Sequence, residues 1–382
     1  MTETYDVAVI GLGAMGAHAV AELAARGARV IGIERFGPLN DRGSSHGDSR
    51  LIRLGYFENP DYVPLLRRAY SKWRELERRS TEPLLTLTGI LQIGRPESKV
   101  VAGVLQSCRE HGIAHELLDA TAVTSRYPAF AMREGDVAVF EPEGGFLRPE
   151  RAITAALKLA GADGAVLRFN ERVLAIEPED DGVALVSDRG AYTARKVIVA
   201  AGSFVTGLVP ALAGLAVPIK QVVGWYPSRD ALATGLGRMP GFLVDEGETG
   251  TYFGFPDLGE GVKVGKHGHF FAPIDPELPN PPVDAADREA TAEFMARRVP
   301  GVVPVGTRYV TCRYTMLPGE DFLIDFLPTT RDIIVASPCS GHGFKFASVI
   351  GEILADLALE GATSLPIELF SFAALRQRTV AA

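Results

Sequence analysis

The alternation of apolar and polar positions divides the chain into an opening strand–helix–strand unit, a long mixed stretch, a β-rich stretch, and a closing strand and helix. Asp6-Val-Ala-Val-Ile10 is a continuous apolar run, the pattern of a strand buried on both faces. Gly11-Leu-Gly13-Ala-Met-Gly16 follows, and the spacing predicts a helix from there to about Arg26, closed by Gly27. A second apolar strand runs from Arg29 to Ile33 and ends in Glu34. Pro64 to about Arg79 reads as helix, Leu85–Ile93 alternates like one strand, and Glu150–Gly161 reads as helix. Arg168–Asp188 reads as paired strands around Asp180-Asp181-Gly182, and Lys196–Gly202 as a buried strand expected to return beside the first. Short strands follow at Ile219–Tyr226, Gly241–Asp245, Thr251–Phe255 and Val262–Lys266. Five prolines in Ala272–Val283 predict an extended connector, and Asp284 is placed to cap a helix that runs to Arg298. A strand at Asp332–Ala336, a loop at Ser337–Gly343 and a helix at Phe344–Glu360, closed by Gly361, end the pattern. No internal repeat is visible.

Composition narrows the class. With 382 residues, 47% of them apolar, the chain can fill sizeable cores in two domains. Its 39 basic and 47 acidic residues leave a net charge of −8, which argues against a general nucleic-acid or anionic-membrane binder. Cys108, Cys312 and Cys339 have no zinc spacing, and their odd number argues against a disulfide framework. Val197–Ile219 carries no charge, but its glycines and prolines read as a strand and a broken helix rather than a membrane span. With no basic segment ahead of the first apolar run, a soluble cytoplasmic protein is expected.

The opening glycines carry the first chemistry. GxGxxG in a strand–turn–helix–strand unit, with an acid 18 residues past Gly16, is a dinucleotide-binding pattern. Gly11 permits the tight turn, Gly13 admits a pyrophosphate, and Gly16 lets helix and strand pack closely. The helix N-terminus offers free N–H groups to phosphate. Glu34 is placed to accept hydrogen bonds from a ribose and would repel a 2′-phosphate, which disfavours NADP.

Three further clusters stand out. In Ser44-Ser-His46-Gly-Asp48-Ser-Arg50-Leu-Ile-Arg53, a helical reading puts Arg50 and Arg53 on one face, fit either for a carboxylate or for solvent with Asp48 as partner. On Val262–Lys266, alternation puts Lys263 and His267 on one face and Lys266 on the other; an exposed face and an interior lysine serving chemistry are both open. Ser340-Gly341-His342-Gly343-Phe344-Lys345 sits at a strand-to-helix switch, where Lys345 either meets an anion or points to water. His342 lacks a second ligand at metal spacing, so no metal is expected.

Together these residues resemble the monomeric sarcosine oxidase and N-methyltryptophan oxidase family of flavoenzymes over essentially the whole chain. The resemblance rests on Gly11–Gly16 with Glu34, Ser45–Arg53, Gln221–Gly224, Phe253–Pro256, Lys263–His267, Cys312-Arg-Tyr-Thr315, Asp321–Asp325 and Ser340–Phe346. It implies an α/β (α+β) fold: a Rossmann-like FAD-binding domain of the glutathione-reductase type with an inserted mixed or antiparallel β-sheet substrate domain, as in D-amino acid oxidase-like flavoenzymes. The expected FAD-binding domain comprises 1–85, 145–216 and 311–382, and the expected substrate domain 86–144 and 217–310.

The resemblance also implies one FAD per chain, attached through a thioether at Cys312. Around it are expected Gly11, Gly13, Ala14, Met15 and Gly16, then Glu34 and Arg35, then Ser44, Ser45, His46, Ser49 and Arg50. Val173, Ala201 and Gly202 are expected from the middle of the chain, and Gly341, His342, Gly343, Phe344 and Lys345 from its final loop. Arg53 and Lys345 match residues that hold the substrate carboxylate, His267 a substrate-side histidine, and Lys263 the lysine that activates O2. Arg50 matches a basic residue near the flavin ring, and the implied cations converge on one pocket. The implied reaction oxidises a secondary-amine amino acid to an imine in a monomer, with O2 reduced to H2O2. Phe253 replaces a tyrosine frequent in sarcosine oxidases, Lys266 replaces an aromatic residue, and Pro338-Cys339 replaces Gly-Phe. Larger N-methyl amino acids and cyclic imino acids such as pipecolate are therefore admitted beside sarcosine. The competing expectations are a flavin dehydrogenase with another electron acceptor, an NAD-dependent dehydrogenase, and a flavin-binding protein without turnover.

Overall fold

A computed structural model describes residues 4–381. The strand Thr4–Ile10 is the centre of the first of two large sheets, parallel both to Val30–Ile33 and to Ala191–Val199. The late buried strand thus returns beside the first, and Thr330–Ala336 extends the parallel set from its far side. Val7 and Val9 point to one face, against the helices Ala14–Ala25, Pro149–Ala162 and Ala347–Leu359. Ala8 and Ile10 point to the other, against Val173, Val183 and Leu185 of the antiparallel pair Val173–Glu179 and Gly182–Ser187. Val7 to Ile10 are all buried because both faces are covered.

The second sheet has eight strands and sits beside the first. Its order is Arg308–Met316, Val217–Tyr226, Val262–Lys266, Thr251–Phe255, Gly241–Asp245, Ile90–Gly94, Val137–Glu141 and Glu116–Asp119. Only the pairing of Gly241–Asp245 with Ile90–Gly94 is parallel. Period-two alternation divides its residues. Phe242, Val244, Tyr252, Val262 and Val264 pack under the helix Ala285–Arg298, together with its Phe294 and Met295. Leu243, Thr251, Phe253, Phe255 and Lys263 project to the opposite face, where the candidate site lies. Asp284 caps that helix by accepting from the Asp287 N–H, and Asp287 reciprocates.

Several expectations are corrected. Arg50–Ile52 is a strand, paired with Gly145–Leu147, and no helix carries Arg50 and Arg53 on one face. Leu85–Ile93 is not one strand: Gly89 has φ 71°, and the chain turns there between two sheets. Leu85–Leu87 joins the small sheet of Arg50–Ile52, while Ile90–Gly94 enters the large one. The helices Lys99–His111 and Ala120–Arg126 lie in a stretch where the pattern gave no elements. The strand Arg308–Met316, which the expected boundary at 310/311 cuts, pairs wholly within the second sheet. Among the described residues, no helix is long and apolar enough to cross a membrane.

Candidate active site

A long cleft of about 1370 Å³ opens along the C-terminal ends of the parallel strands, where doubly wound sheets take their ligands. The three glycines of the first turn meet different constraints. Gly11 has φ 90°, and a Cβ there would lie 2.5 Å from the Ala200 carbonyl oxygen. A Cβ on Gly16 would lie 1.8 Å from the Gly11 oxygen, so the fold itself demands glycine at both. At Gly13 the nearest atom is Ser45 Oγ at 3.8 Å, and the backbone is extended. The protein's own packing has room for a side chain at Gly13, and what its glycine leaves is open space in the cleft. That space, at the N-terminus of a helix, fits the pyrophosphate of a dinucleotide.

Glu34 is nine-tenths buried and accepts from the backbone N–H groups of Leu12 (2.8 Å) and Phe36 (3.0 Å). Burial raises its pKa despite those bonds, and its remaining lone pairs suit ribose hydroxyls. Of the residues the sequence singled out for a cofactor, Gly11, Gly13, Ala14, Met15, Glu34, Arg35, Ser44, Ser45, Val173, Ala201, Gly202, Gly341, Gly343 and Phe344 line this cleft. Gly16 packs behind it, and His46, Ser49, Arg50, Cys312, His342 and Lys345 lie outside its wall. Arg42, Arg172, Phe204, Glu277 and Cys339 line it without having been anticipated.

A second chamber of about 590 Å³ adjoins the cleft, and Tyr314, Gly341 and Phe344 line both. Leu51, Phe57, Leu243, Phe253 and Phe255 give it an apolar wall. Arg50, Arg53, His267, His342 and Lys345 supply its polar groups. Arg53 is buried; its guanidinium donates to the Gly55 carbonyl (2.8 Å) and doubly to Glu58 (2.7 and 2.8 Å). Burial raises the Glu58 carboxyl, but Arg53, His342 and Lys345 together outweigh it and hold it down at about 2. Lys345 is buried, its Nζ donates to the His342 carbonyl (2.7 Å), and burial and Arg53 push its pKa down to about 7. His342 Nε2 donates to the Glu320 carbonyl (2.8 Å), so its Nδ1 accepts from the Tyr56 hydroxyl (2.5 Å). This fixes a neutral imidazole, in keeping with a pKa pushed down to about 4 by burial. His267 lies 3.8 Å from Glu320 and packs against the Tyr314 ring.

Lys263 shares its sheet face with His267 but opens onto a different hollow, of about 730 Å³, with Ser49, Glu150 and Trp225. The expected single pocket of four cations is therefore corrected: Arg50, Arg53 and Lys345 share the chamber, and Lys263 stands apart from it. Its Nζ donates to the carbonyl oxygens of Gly47 and Ser49 and to Ser49 Oγ, and burial with Arg50 holds its pKa well below the usual lysine value. Arg50 closes the same turn by donating to the carbonyls of Ser44 (2.7 Å), His46 (2.6 Å) and Ser49 (2.9 Å). His46 is buried, and neither of its ring nitrogens has a hydrogen-bond partner among the described residues. Cys312 is buried on Arg308–Met316; burial raises its thiol, and the charges of Arg50 and Lys263 oppose that rise.

A dinucleotide cleft beside a cation-bearing, apolar-walled chamber defines the class: an FAD-dependent oxidoreductase. The match is explicit over residues 6–357, where the chain fits the DAO family, described as FAD dependent oxidoreductase. It is 40% identical to a monomeric sarcosine oxidase of Streptomyces avermitilis, over 97% of each chain. It is 35% identical to an N-methyl-L-tryptophan oxidase of Salmonella dublin, over 98% of this chain and all of that one. Among solved structures, the open form of NikD, an unusual amino acid oxidase essential for nikkomycin biosynthesis, superposes with a TM-score of 0.85 at 27% identity, over 97% of this chain and 98% of that one. The chain belongs to the monomeric sarcosine oxidase and N-methyltryptophan oxidase family of FAD-dependent oxidoreductases.

Proposed function

We propose that the protein oxidises the secondary amine of an N-methylated amino acid to an imine, which water hydrolyses, while O2 is reduced to H2O2. One observation carries the reading: two buried cations, Arg53 and Lys345, face an apolar wall in a chamber that opens on the dinucleotide cleft. FAD, when bound, accepts the two electrons lost from the substrate C–H and amine.

The chain's residues bind, orient and tune. Arg53 and protonated Lys345 take the substrate carboxylate, with Arg53 turning donors from Glu58 to the ligand. Fixing the carboxylate fixes the α-carbon relative to the cleft. Cations around the chamber disfavour a protonated substrate amine, keeping free the lone pair that oxidation requires. Leu243, Phe253 and Phe255 receive the N-methyl group and side chain. Lys263, in its separate hollow, is set to stabilise negative charge developing on O2 as it is reduced. Cys312 is the residue assigned to the thioether tether, and Arg50 and Lys263 favour the thiolate such attachment needs. The apolar wall favours a second reading with the same chemistry, in which a cyclic imino acid is the substrate.

Two tests address this. Peroxide yield under air, compared with turnover on an artificial acceptor, distinguishes oxidase from dehydrogenase; one H2O2 per amine oxidised supports the oxidase. Acid precipitation should leave the flavin with the protein pellet, and Cys312→Ser should release it to the supernatant. Free flavin from the unaltered protein would contradict the tether.

A further inference from the structure

The Pro-rich connector is not a bare link. It starts as a short extension of the second sheet: Lys220 N–H donates to the Ala272 carbonyl and Ile274 N–H to the Pro218 carbonyl (both 2.9 Å). From Pro276 to Asn280 it then lies against arginines of the dinucleotide cleft, and its Glu277 stands in the cleft wall. Four arginines bind this stretch. Arg35 grips the Glu277 carboxylate with two bonds (2.9 and 2.6 Å), and Arg172 adds a third (3.2 Å). Arg42 donates to the Leu278 carbonyl (2.7 Å). Arg35, Arg42 and Arg172 themselves line the cleft.

Arg313 is the least expected of the four. It is fully buried, one residue past Cys312, and forms no ion pair among the described residues. Its guanidinium donates to the connector throughout: Nη1 to the Pro276 carbonyl (2.8 Å), Nη2 to the Leu278 carbonyl (2.7 Å), and Nε to Asn280 Oδ1 (2.6 Å). Asn280 Nδ2 in turn donates to the carbonyls of Asp41 (2.7 Å) and Thr311 (3.3 Å). A buried guanidinium without a carboxylate depends on such bonds, because each lost acceptor leaves a desolvated donor unmet. The connector therefore ties three separate pieces together: the cofactor loop at Arg35–Arg42, the Cys312 strand, and the strand at Pro218–Lys220. Its prolines stiffen it, so that anchoring a few points holds its whole length.

We infer that Pro276–Asn280 is a clasp that holds the cleft closed over its dinucleotide, with Arg313 as the positioning residue that locks it. The clasp sets the rate at which cofactor enters and leaves, independently of any covalent bond at Cys312. The inference rests on the FAD assignment of the cleft. Arg313 also aligns the Cys312 strand with the cofactor loop, since one set of bonds fixes both.

The test uses the full chain carrying Cys312→Ser, loaded with FAD, and follows release by the fluorescence of freed flavin after dilution. Arg313→Met should speed release by about tenfold or more, the scale expected when several charge-assisted bonds are lost. Glu277→Gln, at a half-exposed carboxylate, should speed it by a smaller factor, about two- to threefold, and leave apoprotein thermal unfolding unchanged. If Arg313→Met destabilises the apoprotein, Glu277→Gln and Asn280→Ala still report on the clasp alone. Release rates unchanged in Glu277→Gln and Asn280→Ala would overturn the clasp while leaving the cofactor assignment intact. A parent protein that takes up no FAD would overturn both.

Discussion

Gly13 and Gly16 sit three residues apart in one turn, yet the structure gives them different work. Gly16 serves the fold, because a Cβ would strike the Gly11 carbonyl. Gly13 serves the ligand, because within the protein its Cβ would touch nothing closer than 3.8 Å. Gly13→Ala is therefore expected to change apoprotein unfolding little and to weaken FAD uptake by about tenfold or more, while Gly16→Ala destabilises the apoprotein itself. Thermal unfolding of the apoproteins with flavin titration measures both. Lys345 yields a pH prediction with a definite sign. Its ammonium is charged below about pH 7 and neutral above, so a carboxylate ligand gains its charge only at the lower pH. Affinity for a carboxylate inhibitor should fall as pH rises above about 7, by up to about tenfold per pH unit, and Lys345→Met should flatten that profile. An equal slope in Lys345→Met would assign the titration elsewhere. At this scale the sequence named the cations but not their true counter-ions: it offered Asp48 for Arg50 and Arg53, and Asp48 instead accepts from Arg308 (2.9 Å). Glu58 is invisible as the partner of Arg53, because the residues between one and the other are irregular backbone that no helix or strand periodicity records.

Among elements, the strand Val262–Lys266 shows how much alternation can carry. Val262 and Val264 fill the core beneath Ala285–Arg298, and Lys263 between them faces the opposite side. Lys263 lies outside the chamber that holds Arg53 and Lys345, and the proposed function places the two half-reactions in these different hollows. Lys263→Met should slow flavin reoxidation by O2 about a hundredfold or more and change anaerobic reduction by less than about threefold. Rapid mixing resolves the two steps, and slowed reduction with normal reoxidation would contradict the assignment. The elements that were legible are those with strong local signals: the glycine turn, the long amphipathic helix Val63–Ser80, the short strands, and the Asp284 cap. Those missed follow local geometry. The positive φ of Gly89 splits an apparently single strand, and three residues, Arg50–Ile52, pair as strand although their charge spacing suits a helix. The helix Lys99–His111 was hidden by Gly103, which is required where the helix passes the Phe57 backbone; its signals were Ser98 at the start and Gly112 at the end.

At the scale of the molecule, a net acidic chain sets a group of basic residues around its interior cleft and chamber. Arg50, Arg53 and Lys345 face the chamber between the sheets, and Arg35, Arg42, Arg172 and Arg313 surround the cleft and its connector. Net charge reports solubility and non-specific partners, whereas this arrangement reports what the interior binds. This grouping was legible only as separate clusters, because sequence does not show that the final loop at Gly341–Lys345 meets His267, just past the strand Val262–Lys266. The central claim is that a secondary-amine amino acid bound in that chamber gives two electrons to the flavin in the adjoining cleft. Anaerobic mixing of the purified protein with N-methyl and cyclic amino acids, followed by flavin absorbance, tests it directly. At least one should bleach the flavin fully, and admitting air should restore the colour with one H2O2 released; a flavin that stays oxidised with every such acid would show that the chamber does not serve this oxidation.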